Sequence, residues 1–173
     1  MMVAKPSPTP RHRWNVEGYP SEGEYARMLE RITFLLAVIG YAGLTATALL
    51  AALRKLPVVL WRGVALVIIS HVVLVWMVRY HWQLAGATRN GYVGFLIFHG
   101  ALALIVVSLF LAERSARVFV WTAFVVVSLG AVGAVFRYEV VAIYRAPVIL
   151  IAAVGAAGLA RAYQLSRHRP RAA

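Results

Sequence analysis

The chain alternates long apolar runs with short polar interruptions. Apolar runs fill residues 32–53, 57–78, 94–112, 118–136 and 146–160. A helix needs roughly 20 apolar residues to cross the hydrocarbon core of a bilayer. The first four runs have about that length, and the fifth is shorter and rich in small residues. Between them lie Arg54-Lys55-Leu56, the polar connector 79–93, the sequence Glu113-Arg114-Ser115-Ala116-Arg117 and the mixed segment 137–145. Pro57 suits a helix start, and Ala146-Pro147 opens the fifth run in the same way. The pattern predicts an all-α integral membrane bundle of about five transmembrane helices. The hairpin 57–112, with its connector 79–93, is the stretch around which the rest is expected to pack.

Residues 1–30 are polar and form a separate N-terminal segment ahead of a transmembrane domain at 31–164. Pro6, Pro8 and Pro10 argue for an extended start. Ser21 followed by Glu24 fits a capping box, which predicts an amphipathic helix from about Ser21. No apolar stretch begins before Ile32, so a cleavable signal peptide is not expected. Residues 165–173 form a basic tail. Gly40, Gly43, Thr47 and Ala51 in the first run, with Gly130 and Gly133 in the fourth, have the small-residue spacing that lets membrane helices approach closely.

Composition agrees with this reading. Hydrophobic residues make up 62% of 173, and mean hydropathy is +0.76. That exceeds what a soluble core of this size can hide. The net charge of +12 comes from 18 Lys+Arg against 6 Asp+Glu. The cations sit at run ends and tails, where snorkelling and anionic headgroups account for them. Arg62, just inside the second run, is read as snorkelling. No nucleic-acid partner is expected. Cysteine is absent, which removes disulfides, thiolate metal sites and cysteine nucleophiles. With five spans, nine Lys/Arg flank one membrane side and six the other. The positive-inside rule then places the C-terminus in the cytoplasm and the connector 79–93 on the outer face.

Two histidines lie inside runs, His71 and His99. Both are roughly 9–12 Å below the connector at about 1.5 Å per residue. An ionisable residue within a span is a functional-site candidate. The alternative is that each imidazole hydrogen-bonds between helices, with Ser70, Ser108 and Ser128 as available partners. Facing imidazoles on adjacent helices can converge on one metal ion. Nitrogen ligation favours copper, iron or zinc over harder ions. His81 sits above them in Arg79-Tyr80-His81-Trp82. It is read either as part of an aromatic and basic belt or as an entry ligand supported by Tyr80 and Glu139. No phosphate loop, nucleophile triad or zinc-protease motif is present, so hydrolytic chemistry has no basis.

The segment 54–139 resembles a family of small four-helix bacterial membrane proteins that help mature haem–copper terminal oxidases. The similar pieces are MVRYHWQLAG, YVGFLIFHGALALIVVSLFL and the close of the fourth run, VGAVFRY. The resemblance implies that His81 and His99 match histidines of that family's metal or haem site. The chain departs from it at Trp61-Arg62 and at ERSARV, where the family has histidines, and in its fifth run. His71 has no counterpart there.

Two functions follow as expectations. One is a metal- or haem-handling assembly factor for a respiratory or photosynthetic electron-transfer complex, with copper or haem iron as cofactor and other transmembrane subunits as partners. The other is an accessory structural subunit of such a complex, its histidines ligating a pigment or haem or bonding between helices. A transporter is disfavoured because no carboxylate lies inside a run.

Overall fold

The computed structural model describes residues 22–89 and 91–167. The proline-rich start, His12, Ser21 with its capping interaction, His168 and the end of the basic tail lie outside the described residues. The elements are α1 (Glu22–Ala52), α2 (Val58–Val78), the short α3 (Leu84–Thr88), α4 (Tyr92–Ser108), α5 (Glu113–Arg137), a 3₁₀ turn at Glu139–Tyr144 and α6 (Arg145–Arg167). Among the described residues there is no strand, and the all-α bundle is as expected.

The centre of the bundle is α1 rather than the hairpin 57–112. α1 packs against α2, α5 and α6, whereas α2 and α4 meet only sparingly. Leu44, Thr47 and Ala48 of α1 are fully buried, against Ala65 of α2 and Val120, Ala123 and Phe124 of α5. The reason lies in residue size. α1 carries Gly40, Gly43, Thr45, Thr47 and Ala48, which let three neighbours close in on it. Its buried threonine hydroxyls return to their own helix, Thr45 Oγ1 to the Tyr41 carbonyl at 2.9 Å and Thr47 Oγ1 to the Gly43 carbonyl at 2.9 Å. No polar group is thereby stranded in hydrocarbon. α1 is also one unbroken helix of 31 residues. The expected amphipathic segment and the first span are continuous, and α1 overshoots the bilayer core at about 46 Å long.

Four helical stretches are long and apolar enough to cross a membrane, namely Gly23–Ala52, Val58–Val78, Glu113–Arg137 and Val141–Leu165. The fifth helix, α4, has 17 residues, or about 26 Å. The shortest of the five apolar helices is therefore the one in the third run, not the last. The run 94–112 ends early because the chain unwinds into short-range bonds, Leu109 N–H to Val106 at 3.2 Å and Phe110 N–H to Val107 at 3.1 Å. The reversal is apolar, and Glu113, expected in a polar turn, instead opens α5. Its negative charge suits that helix N-terminus. At the other end of the sequence, Arg145 Nε donates to the Val135 carbonyl at 2.8 Å and fastens the start of α6 to the end of α5. Outward faces are apolar, with Leu35, Leu66, Leu96, Leu129 and Leu150 exposed, as lipid contact in a multi-pass membrane protein requires.

Two ends of the bundle can now be distinguished. The connector end holds the rise of α1, the end of α2, α3 and the start of α4. The opposite, basic end holds the α1–α2 turn and the α4–α5 turn. In the α1–α2 turn Arg54 takes φ 58°, and the Lys55 N–H reaches the Leu50 carbonyl at 2.8 Å. This is a left-handed helix stop made without glycine.

Candidate functional site

The polar residues at the connector end gather around Trp76 of α2. Its ring stacks on Trp82 at 6.1 Å and meets Tyr80, Phe95 and His99 edge-on at 5.8, 6.4 and 5.7 Å. His99 stacks on Phe95, one turn before it on α4, at 4.0 Å. The Trp76 Nε1–H donates to His99 Nε2 at 3.0 Å, and His99 Nδ1 lies 2.8 Å from the Phe95 carbonyl. An indole nitrogen only donates and a carbonyl only accepts. Those partners assign the proton to Nδ1 and leave Nε2 as the acceptor. Both ring nitrogens of His99 are thus engaged within the protein.

His71 has a different partner. Its Nδ1 lies 2.9 Å from the Thr33 carbonyl of α1, so the ring bridges α1 and α2. His71 and Trp76 are five positions apart, which turns them about 140° from each other around α2. His71 therefore faces α1 while Trp76 faces α4. The structure does not bring the two histidines together on one facing seam, and each ties α2 to a separate neighbour. Among the described residues, no three His, Cys, Asp or Glu side chains form a group able to hold a metal ion. His81 is exposed in the connector at φ 47°, followed by Trp82 at φ 60°. These consecutive left-handed residues fold the Trp82 ring back over Trp76. Tyr80 borders the same ring. Glu139 opens the 3₁₀ turn with its side chain exposed, and no described ion pair joins it to His81.

The serines expected to serve the histidines serve other rings. Ser108 accepts from Trp61 Nε1 at 3.2 Å and Ser128 from the Tyr41 hydroxyl at 2.8 Å, while Ser70 is exposed. Each imidazole instead bonds a backbone carbonyl, that of Thr33 for His71 and that of Phe95 for His99. Trp121 Nε1 adds a bond to the Ala48 carbonyl at 3.1 Å. Among the described residues, indole N–H groups therefore fasten the bundle three times, α2 to α4 at both ends and α5 to α1 near the basic end.

The glycines divide in the same concrete way. A Cβ at Gly43 would lie 2.9 Å from Val64 of α2, and one at Gly40 3.0 Å from Ile68. At Gly130 it would lie 2.9 Å from Ile97 of α4. Gly133, expected in the same role, has nothing within 4 Å. It lies one turn further on, where the start of α4 offers Gly94, itself open. Gly155 and Gly158 of α6 were not singled out from the sequence, yet they sit against Phe124 and Leu49. Their GAAG spacing is the readable signal. No sequence signal marks the bond from Trp76 to His99, although the Phe95/His99 spacing of four does mark a helix-face pair.

Comparison with protein-family models, curated proteins and solved structures gives no match for this chain.

Proposed function

We propose that this protein is an accessory transmembrane subunit of a larger membrane complex, with its histidines acting as ties between its own helices. The observation that carries this is the complete use of His99, whose two nitrogens are held by Trp76 and Phe95. His71, bonded to the α1 backbone, serves the neighbouring seam. Interhelical bonds of this kind contribute about 0.6 kcal/mol on average in membrane bundles and at most about 1.7. Support for an electron-transfer complex as host is the resemblance of 54–139 to oxidase-maturation proteins. The same resemblance supports a bacterial inner membrane, and the cation distribution supports a cytoplasmic C-terminus.

One observation favours a second reading, a metal- or haem-handling assembly factor. A ring that gives its Nδ1 proton to a backbone carbonyl is oriented as ligating histidines are, with Nε2 as the donor atom. The Trp76 indole N–H covers that atom. Rotation of the indole would expose a single nitrogen donor for copper or haem iron.

The test is gentle purification from native membranes with elemental analysis and an absorption spectrum, alongside His99→Phe and His71→Ala. Stoichiometric copurification with a larger complex, with no metal lost in the variants, is the result expected. Near-stoichiometric copper or iron that disappears in His99→Phe overturns the subunit reading in favour of the handling role.

A further inference from the structure

We infer that the groove at the basic end of the bundle binds an anionic phospholipid, with Arg62 on its phosphate. The groove lies between the start of α2 and the α4–α5 turn. Leu56, Trp61, Leu109 and Leu111 form its apolar walls, and Arg62 and Glu113 its charged rim. Trp61 is 3% exposed and its indole N–H is fixed on buried Ser108, so the floor is rigid. Arg62 is the fifth residue of α2 and is exposed. It stands about one turn inside the apolar run, close enough to the helix end for its guanidinium to reach the headgroup level. Among the described residues it makes no ion pair, the one bridge being Arg79–Glu30 at the other end.

The surrounding charge selects the ligand. Arg54 and Lys55 precede Leu56 in the α1–α2 turn, and Arg114 and Arg117 follow Glu113 at the start of α5. Glu113 is the sole described carboxylate at this end, whereas Glu24, Glu30 and Glu139 all lie towards the connector end. Apolar walls beneath Arg62, with further cations in the two flanking turns, match a lipid, whose acyl chain and phosphate are joined. A free phosphate has no use for the walls. Basic pockets between helices on the cytoplasmic side recognise anionic headgroups by this combination. Glu113 opposes the headgroup and is outnumbered by the cations beside it. The inference is independent of the host complex.

The experiment measures thermal unfolding of the full chain in neutral detergent with phosphatidylglycerol, phosphatidylcholine or inorganic phosphate added. Phosphatidylglycerol raises the midpoint, and the other two leave it unchanged. Arg62→Gln weakens the apparent affinity for phosphatidylglycerol about fivefold, Arg62→Lys less, and Arg79→Gln at the far end not at all. Glu113→Gln retains or strengthens the effect, which separates a phosphate site from an Arg62–Glu113 bridge. Native mass spectrometry of the wild-type chain gives a reading that needs no variant, with phosphatidylglycerol retained over equimolar phosphatidylcholine. Equal retention of the two lipids, an equal shift with inorganic phosphate, or full affinity in Arg62→Gln overturns the proposal.

Discussion

His99 and Trp76 decide how the connector end is held, because α2 and α4 otherwise touch little. The bond between them at 3.0 Å is half-buried and crosses helices. Trp76→Phe removes the donor and His99→Phe the acceptor, and each keeps an aromatic ring for the stack. Each single change is expected to cost about 0.5–1.5 kcal/mol in a reversible unfolding titration. The double variant should cost less than the sum of the two, because the second change removes a bond already lost. Strict additivity would mean that the two rings do not act as a pair. Glu30 and Arg79 offer a contrast on the same end. Their side chains are 48% and 52% exposed at 3.4 Å, and exposed pairs contribute about 0–1 kcal/mol. Glu30→Gln should therefore leave the unfolding midpoint almost where it was.

At the scale of elements, close approach depends on which glycine faces which atom. A methyl group at Gly155 meets the ring of Phe124, which is 3% exposed and has nowhere to turn. At Gly158 it meets the flexible end of half-buried Leu49. Gly155→Ala should thus destabilise by about 1–3 kcal/mol, Gly158→Ala by less, and Gly133→Ala not at all. Unfolding of the three variants side by side checks that order, and a large loss at Gly133 would contradict the open space around it. Sequence alone made the apolar runs, the turn positions near 54 and 79 and the packing role of Gly40, Gly43 and Gly130 legible, since each is a local property. It did not reveal α1 as the hub. Every run is apolar all round, so no periodic stripe marks the face that goes inward. The partner of each histidine was hidden for a related reason. Depth follows from counting residues, but the direction a ring faces depends on where α2 sits between α1 and α4.

For the whole molecule, the mechanics turn on how α4 meets the membrane. Its 17 residues reach about 26 Å, some 4 Å short of a typical hydrocarbon core. A shortfall of that size is absorbed by local thinning or by flanking residues reaching outward. α4 also runs antiparallel along α5, a 25-residue helix long and apolar enough to cross a membrane. α4 is therefore expected to cross, placing Arg89 and Ser115 on opposite sides. The native chain has no cysteine, so single cysteines at those positions report without background. Both positions are exposed in the structure. On intact spheroplasts a membrane-impermeant maleimide should label Arg89→Cys and spare both Ser115→Cys and Lys55→Cys until the membrane is opened. Inverted labelling would keep the crossing and reverse the orientation drawn from the cations. Labelling of Arg89→Cys and Ser115→Cys from the same side would make α4 a re-entrant helix. It would also remove the basis for the nine-against-six comparison, which counts five crossings.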